Sequence, residues 1–462
     1  MSFVRIEPYS PTLNSAVRSH TLKVPGDKSI SHRALLFGAL ARGSTEISNL
    51  LEAEDVRSTE TCLRHLGIQI TRTGSGWSVL GQGRERLKTP LTHLDCGNSG
   101  TTVRLLMGVL AAEPFLAHLH GDASLSNRPM KRVAEPLRKM GAQIQLSSAG
   151  TAPVQILGTR SLQAINYSLP VASAQLKSAL LLAGLSAEGT TRLSGQIFSR
   201  DHTERLLQHF GVHVERTQGQ EFLNPSHPID QPESDATYLS IKGGQELTAA
   251  KIIVPGDISS AAFWLGLGTL IPCGTIEIQD VLLNPTRIGI LTLLQKMGAQ
   301  IRFEITSSHP EPLGWIKVNH SELRGIEIHP NEVPTLIDEL PLIAVLAAFA
   351  NGTTIVRGAE ELRVKETDRL EAIACNLRAM GGAIELFPDG FAIEGPQRLR
   401  GNAMESFGDH RIAMAFSIAA LKADTSSEIR GSECVSISYP KFYETLNSLT
   451  SSSSKAATLL GS

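Results

Sequence analysis

Apolar residues in this chain form short, nearly continuous runs separated by Gly turns and short alternating segments. Runs such as "SALLLAGL" (178–185) and "IAVLAAFA" (343–350) are apolar on almost every side, which is typical of a helix buried all round. After each run, a turn leads to a short β-like segment, a second helix, and another turn into a further strand. The Gly residues predicted to end these second helices in a left-handed C-cap are Gly67, Gly141, Gly211, Gly298 and Gly381.

This unit of helix, strand, helix and strand occurs six times. Its copies begin "LLFGALARGSTEISNL", "LLMGVLAAEPFLAHLHG", "LLLAGLSAEGTTRLSG", "FWLGLGTLIPCGTIEIQDV", "IAVLAAFANGTTIVRGA" and "FSIAALKADTSSEIRG". The second copy is looser and the sixth is degraded. The period is too long for a two-helix solenoid, and each unit mixes helix with strand. The pattern therefore predicts an α/β fold in which sheets lie outside buried helices.

The six repeats divide into two sets of three. The segment "VPGDKSISHRALLF" (24–37) is echoed by "VPGDISSAAFWLGL" (254–267), and each copy stands at the start of one set. A polar, Pro- and Gly-rich stretch before the second copy is suited to a crossing segment. The N-terminal strand "FVRIEP" is expected to join the later repeats. We therefore predict one lobe from residues 1–24 and 246–448, a second lobe from 25–245, and a disordered, low-complexity tail at 449–462.

Composition narrows the class of protein. The chain has 462 residues, more than one hydrophobic core usually supports, which favours two domains. A net charge of −2 argues against a nucleic-acid or membrane partner recognised by overall charge, but it allows a local basic cleft. The five cysteines are widely spaced and form no CxxC pair, so neither a disulfide framework nor a structural zinc site is expected. The start has no apolar signal-peptide segment, and we predict a cytoplasmic protein.

Charge distinguishes the two copies of the repeated turn. The first carries Lys28, His32 and Arg33, whereas the second has uncharged residues at those positions. Because the neutral copy is expected to form the same turn, the charges of the first are not needed for it. Lys28, Ser29 and Arg33 would face a helix N-terminus, which is a favourable place for anions.

Polar and basic residues also mark the starts of other buried helices. Taken singly, each is compatible with an ordinary helix cap, and we favour a structural role for Lys177. Taken together, they predict helix N-termini facing a cationic cleft between the lobes, suited to ligands with several negative charges. The further candidates are Gly100 with its turn, Arg128, Ser173, Gln175, Arg200, Asp338, Lys365, Glu366, Arg369 and Arg411.

Six motifs carry a specific resemblance. In order, "GDKSISHRAL", "GNSGTTVRLL", "NRPM", "SAQLKSALLLAGL", "RVKETDRL" and "GDHRIAMAF" resemble the EPSP synthase (3-phosphoshikimate 1-carboxyvinyltransferase) family, over nearly all of residues 20–447. Two of them look like the family's second class. The resemblance implies a two-lobed inside-out α/β barrel, the enolpyruvyl transferase fold. It also implies transfer of the enolpyruvyl group of phosphoenolpyruvate to the 5-hydroxyl of shikimate 3-phosphate by addition and elimination, without cofactor or metal, in a monomer.

The resemblance also implies roles by motif position. Around phosphoenolpyruvate it places Lys28, Gly100, Arg128, Gln175, Arg369 and Arg411. Around shikimate 3-phosphate it places Lys28, Ser29, Arg33, Ser173, Gln175, Arg200, Asp338 and Lys365. Glu366 or Lys28 is the candidate general acid, and Asp338 is the candidate base. Two positions depart from the pattern: Glu361 stands where one class has Asn, and Lys441 does not align cleanly with the family's C-terminal Lys.

Two alternatives remain open from sequence. An enolpyruvyl transferase acting on a UDP-amino sugar shares the fold, but it has a reactive Cys before its Arg-Pro step, where this chain has "HGDASLSNRPM". A non-catalytic anion-binding module could use the same cations. Asp338 and Glu366 argue against that module, because carboxylates weaken pure anion binding.

Overall fold

The computed structural model describes residues 2–11, 18–74, 76–83, 87–218, 237–450 and 459–460. The chain divides into two compact units, the first from Met1–Lys28 with Pro255–Ser462 and the second from Ser29–Val254. The sequence predicted these boundaries at 24/25 and 245/246, whereas the structure places them at 28/29 and 254/255. Lys28, which was predicted to lie in the second lobe, therefore belongs to the first unit. The reason is local, since Lys28 directly follows a turn that is bound to Gly256 of the first unit.

The elements alternate along the chain. In chain order, the described helices are α1 (Lys28–Leu40), α2 (Glu54–His65), α3 (Gly100–Leu110), α4 (Ala123–Ser126), α5 (Lys131–Lys139), α6 (Ala174–Gly184), α7 (His202–His209), α8 (Ile258–Leu270), α9 (Gly289–Lys296), α10 (Leu340–Phe349), α11 (Arg369–Ala379), α12 (His410–Leu421) and α13 (Phe442–Thr450). The described strands are β1 (Phe3–Ile6), β2 (Ser19–Lys23), β3 (Ala41–Ser48), β4 (Gln69–Thr73), β5 (Gly76–Gln82), β6 (Leu94–Asp95), β7 (Leu116–His120), β8 (Gln143–Gln145), β9 (Val154–Leu157), β10 (Asn166–Leu169), β11 (Thr190–Gly195), β12 (Val214–Gln218), β13 (Thr237–Lys242), β14 (Leu247–Thr248), β15 (Lys251–Ile253), β16 (Thr275–Leu282), β17 (Gln300–Ser307), β18 (Leu313–Asn319), β19 (Glu327–Ile328), β20 (Gly352–Val356), β21 (Glu385–Phe387), β22 (Gly390–Gly395), β23 (Ala403–Glu405), β24 (Ser427–Arg430) and β25 (Leu459–Leu460).

The apolar runs form the buried helices of each unit. In the second unit these helices are α1, α3 and α6, and in the first unit they are α8, α10 and α12. Small residues let them approach closely: a Cβ on Gly108 of α3 would lie 2.4 Å from the carbonyl oxygen of Ala179 in α6. Every residue of α8 is buried, which agrees with the absence of a polar face in its sequence.

All six sheets found in the described residues follow one scheme, in which a parallel pair at one edge is continued by antiparallel neighbours. In the second unit the orders are β14-β3-β5-β4, with β15 also on β3, then β6-β7-β9-β8 and β10-β11-β13-β12. In the first unit they are β2-β16-β18-β17, β19-β20-β22-β21 and β23-β24-β1-β25. The shared strand order confirms the sixfold repeat.

The sixth repeat is completed from the other end of the chain. Strand β1 pairs antiparallel with β24, Phe3 opposite Arg430 and Ile6 opposite Ser427, which confirms that the N-terminal strand joins the later repeats. The Gly residues predicted to cap the second helices all have positive φ. Their C-cap prediction is therefore confirmed as well.

The two copies of the repeated turn bind each other. Gly26 and Gly256 form an antiparallel bridge, Asp27 N donates to Pro255 O at 2.7 Å, and Asp257 N donates to Pro25 O at 2.8 Å. The duplication in sequence is therefore also a pairing in space, within the first unit.

The C-terminal region departs from the predicted disorder. Residues 449–450 end α13, where Leu449 is buried, and Leu459–Leu460 pair with β1. The other residues of the predicted tail lie outside the described residues.

The five cysteines are free thiols. Within the described ranges, no helix has the length and apolarity needed to cross a membrane.

Candidate active site

Two arginines of the second unit lie at the start of α3. Arg128 donates from Nη2 to Asn98 Oδ1 at 2.6 Å and to Ser124 Oγ at 3.1 Å. Arg104 donates from Nη1 to Gln175 Oε1 at 2.5 Å, which links α3 to α6. Both arginines are almost fully buried. The hydrogen bonds therefore fix two guanidinium groups beside a helix N-terminus, an arrangement suited to a carboxylate or phosphate.

Gly100 is closely covered by these two arginines. A Cβ built at this position would lie 3.0 Å from Arg104 Nη1 and 3.2 Å from Arg128 Nη1. Ser99 caps the helix by accepting from Thr102 N at 3.1 Å. The absence of a side chain at Gly100 thus lets both guanidinium groups approach the first turn of α3. Arg104 was not singled out from sequence, although it lies in the quoted motif "GNSGTTVRLL".

The guanidinium group of Arg33 donates hydrogen bonds to other groups of the protein. Its Nε donates to Thr203 Oγ1 at 2.7 Å, Nη2 to Ser178 Oγ at 2.7 Å, and Nη1 to the Ser29 carbonyl oxygen at 2.9 Å. These bonds tie α1 to α6 and α7 and fix the backbone of Ser29. The geometry supports a role for Arg33 in positioning Ser29, whereas its predicted contact with substrate stays a prediction.

Lys177 is structural, as favoured from sequence. Its ammonium group is fully buried, pairs with Glu204 at 2.7 Å, and donates to the carbonyl oxygens of Ile197 and Ser199 at 3.2 Å each. It thereby holds the loop that leads to Arg200. Ser173 caps α6, accepting from Leu176 N at 3.3 Å.

Arg369 organises three carboxylates in the first unit. Its Nε lies 2.7 Å from Asp409 Oδ2 and its Nη2 lies 2.7 Å from Glu366 Oε2. Nη1 lies 3.5 Å from Asp338 Oδ1. Burial alone would lower the pKa of Arg369, but these three carboxylates raise it, so the guanidinium is permanently charged. Arg369 therefore orients the carboxylate of Glu366.

Arg411 contacts the segment that precedes α10. Its Nη1 donates to the Asp338 carbonyl oxygen at 3.1 Å, and its Nη2 lies 3.6 Å from Asp338 Oδ2. Glu339, the next residue, is buried. Burial and the neighbouring Asp338 charge raise the pKa of Glu339, while Arg411, Arg287 and the Ser259 hydroxyl oppose that rise.

The carboxylates of this cluster were underestimated from sequence. The predicted cations Arg369 and Arg411 are each paired with acidic side chains, so the first unit's helix starts carry a balanced ion network. The physical reason is burial, because a buried guanidinium without a partner would be strongly unfavourable. Burial lowers the pKa of Lys365, although the charges of Asp338 and Glu361 act in the opposite direction. Lys441 is exposed directly before α13.

His410 is a buried, neutral imidazole at the start of α12. Burial lowers its pKa well below the usual 6.5, the positive charges of Lys28, Arg411 and Arg369 lower it further, and Glu366 acts in the opposite direction. Lys28 is thus close enough to the start of α12 to affect the titration of His410. Its role was predicted from the repeated turn, whereas His410 was noted in sequence without a role.

Acid should destabilise the protein partly through His410. Below pH 6.5 the unfolded imidazole takes up a proton that the folded one does not, so stability falls as pH falls, by up to about 1.4 kcal/mol per pH unit. We expect His410→Gln to weaken this dependence between pH 7 and pH 5, measured by urea denaturation. His213→Gln, at an exposed position, is the control. An unchanged pH dependence in His410→Gln would contradict the neutral assignment.

Comparison with known proteins identifies the fold first. NikO from Streptomyces tendae, described as an enolpyruvyl transferase, is similar with a TM-score of 0.72 over 97% of both chains, at 18% identity, a level that speaks for the fold alone. EPSP synthase from Acinetobacter baumannii is similar with a TM-score of 0.81 and 40% identity, over 97% of this chain and 98% of that one. The architecture is therefore that of the enolpyruvyl transferases.

Sequence comparison identifies the family. The family model for EPSP synthase (3-phosphoshikimate 1-carboxyvinyltransferase) matches residues 14–446. Curated proteins named 3-phosphoshikimate 1-carboxyvinyltransferase are 47% identical in Bacillus cytotoxicus, over 93% of this chain and 97% of that protein, and 46% identical in Bacillus subtilis, over 94% and 97%. The chain belongs to the EPSP synthase family, and it is an enzyme of the shikimate pathway.

Proposed function

We propose that the chain transfers the enolpyruvyl group of phosphoenolpyruvate to the 5-hydroxyl of shikimate 3-phosphate, with the residues predicted from sequence in binding and catalytic roles. The observation that carries this assignment is the pair of guanidinium groups of Arg104 and Arg128 over Gly100. Both substrates are phosphorylated carboxylates, and planar arginine groups bind such anions in a bidentate manner.

In the second unit, Arg128 and Gln175 contribute to the binding of phosphoenolpyruvate, and Arg104 joins them. Ser29, Ser173 and Arg200 contribute to the binding of shikimate 3-phosphate. Arg33 supports the role of Ser29 indirectly, because its hydrogen bond to the Ser29 carbonyl oxygen fixes the backbone there. The hydrogen bonds that fix Arg104, Arg128 and Gln175 reduce the reorganisation that binding requires.

In the first unit, Arg369, Arg411 and Lys28 contribute positive charge for the phosphoenolpyruvate anion. Lys365 and Asp338 are assigned to shikimate 3-phosphate. The orientation of Glu366 by Arg369 at 2.7 Å supports its assignment as the proton-transfer group.

The proposed reaction balances in two steps. The 5-hydroxyl oxygen bonds to C2 of phosphoenolpyruvate, its proton passes to Asp338, and Glu366 or Lys28 gives a proton to the methylene carbon. In the second step the resulting methyl group returns a proton to the group that gave it, the C2–C3 double bond re-forms as the C2–O bond to phosphate breaks, and phosphate leaves with the proton held by Asp338. The cationic side chains stabilise the charge on the departing phosphate.

A coupled phosphate-release assay tests this function. Phosphate should appear only when phosphoenolpyruvate and shikimate 3-phosphate are both present, and replacement of shikimate 3-phosphate by UDP-N-acetylglucosamine should give none. Release with the UDP-sugar instead would favour the related transferase. Binding of both acids without release would favour an anion-binding module.

Gly100→Ala should weaken phosphoenolpyruvate binding. The new methyl group would displace Arg104 Nη1 and Arg128 Nη1, and overpacking of this kind costs about 1–3 kcal/mol. We expect the KM for phosphoenolpyruvate to rise roughly tenfold or more, measured by steady-state kinetics. Gly74→Ala is the matched control, because a Cβ there meets no atom within 4 Å. Equal KM values in the two variants would show that the Gly100 contacts do not set affinity.

The monomeric state and cytoplasmic location predicted from sequence are also proposed. The free cysteines support the location, because free thiols suit a reducing compartment. Sedimentation of the full chain at micromolar concentration and cell fractionation would test these two points.

A further inference from the structure

Arg287 connects the two copies of the repeated turn. It lies between β16 and α9 and is 3% exposed. Its Nη1 is 3.0 Å from Asp27 Oδ2, and its Nη2 is 3.3 Å from Asp257 Oδ1. One guanidinium group therefore forms ion pairs with the corresponding aspartates of both turns. Since Asp27 and Asp257 are buried, each needs such a partner.

Both aspartates are directly connected to Lys28. Asp27 precedes it in the chain, and the Lys28 backbone N donates to Asp257 Oδ2 at 3.4 Å. Asp257 also caps α8, accepting from Ser259 N at 2.8 Å. The position at which α1 begins, and with it the Lys28 side chain, thus depends on the two carboxylates that Arg287 holds.

A second path runs from Arg287 to the start of α10. Arg287 Nη2 donates to Ser259 Oγ at 2.9 Å, and Ser259 Oγ donates to Glu339 Oε1. Glu339 Oε1 lies 3.9 Å from Arg411 Nη1 and belongs to the residue after Asp338. The Arg287 guanidinium is therefore connected, through buried Ser259 and Glu339, to the segment that carries the proposed base Asp338.

We propose that Arg287 is a positioning residue for the reaction, which sets Lys28 through Asp27 and Asp257, and Asp338 with Arg411 through Ser259 and Glu339. This inference rests on the proposed roles of Lys28 and Asp338. Arg287 itself is enclosed by protein groups, so its effect is exerted through them. A lysine at this position would keep one charge but could not span both aspartates and the serine, since an ammonium group lacks the planar fork of arginine.

The effect should appear in turnover and in its pH dependence. Glu339 is faced by Asp338 from its own segment, by Arg411 from α12, and by Arg287 and Ser259 from the other side. Removal of the Arg287 charge would let the pKa of Glu339 rise further. The acidic limb of the kcat profile should then move to higher pH, because a protonated Glu339 no longer restrains Arg411.

The test compares Arg287→Met and Arg287→Lys with Arg138→Lys, in the full chain with both substrates. Arg138 is a suitable control because it donates from Nε and Nη2 to the Ile144 carbonyl oxygen in the second unit. We expect kcat to fall about 100-fold in Arg287→Met, with partial recovery in Arg287→Lys and an acidic limb shifted upward by about one pH unit. Arg138→Lys should change neither quantity.

Ser259→Ala keeps every ion pair of Arg287 and breaks only the path to Glu339. It should lower kcat about tenfold and shift the acidic limb, and it keeps the inference testable if Arg287→Met does not fold. The inference is overturned if a folded Arg287→Met or Ser259→Ala keeps kcat within about twofold of wild type and shows no shift of the acidic limb. Absence of phosphate release in the wild-type enzyme would instead contradict the proposed function.

Discussion

Glu366→Gln is expected to lower kcat by about a hundred- to ten-thousand-fold, the range typical for loss of a general acid or base. The amide keeps the size of the side chain and can still accept from Arg369 Nη2, so the local geometry should persist. It cannot, however, carry a proton to the methylene carbon and back. The KM values should change much less than kcat. Steady-state phosphate release with both substrates would measure the effect.

Glu371→Gln is the matched control for this variant. Glu371 lies in the first turn of the same helix, α11, and its carboxylate is an exposed partner of Arg363 at 3.5 Å. The change in charge is therefore identical, but no proposed chemistry is lost. If Glu366→Gln turned over as fast as Glu371→Gln, the proton would have to be carried elsewhere, and Lys28→Met would be the next variant.

Arg369→Met is expected to reduce the free energy of unfolding by about 3–5 kcal/mol, because it leaves buried carboxylates without their cation. Asp409 is fully buried and lies 2.7 Å from Arg369 Nε, and Glu366 and Asp338 lose a partner as well. The same variant should lose activity. Urea denaturation of the free enzyme gives the stability change.

Arg363→Met provides the comparison. Arg363 lies six residues earlier and pairs with Asp368 at 2.8 Å, but its side chain is 29% exposed, so the pair is partly screened by water. We expect a loss of about 1 kcal/mol or less. Similar losses for the two variants would mean that the network around Arg369 is not the strong contribution that its burial implies.

Periodicity alone was sufficient to predict the repeats and the buried helices. Apolar residues on every side of "SALLLAGL" and "IAVLAAFA" leave no face for water, and the Gly turns require positive φ. These are local properties of the chain. The sequence also predicted that the N-terminal strand joins the later repeats, because a crossing at residues 21–25 leads from it into the other lobe; its pairing with β24 is seen only in the structure.

The partners of the charged residues were not predictable in the same way. Arg287 lies in the ordinary segment "NPTRIGIL", and its partner Asp27 is 260 residues away, so no local pattern connects them. Arg33 was assigned to shikimate 3-phosphate by its motif position, and the sequence did not indicate that its nitrogens bond to Thr203, Ser178 and Ser29. Sequence indicated where charge was placed, but which charges neutralise one another depends on tertiary contacts.

The division of the chain has a consequence for its synthesis. The second unit is one uninterrupted segment, Ser29–Val254, whereas the first joins residues from both ends of the polypeptide. As the ribosome releases the chain from the N-terminus, the inserted unit can mature while its host is still a fragment. Strand β1 precedes the second unit in the chain and can pair only after β24, which follows that unit, has been synthesised. Until then β1 has an unpaired edge, which can pair with other chains.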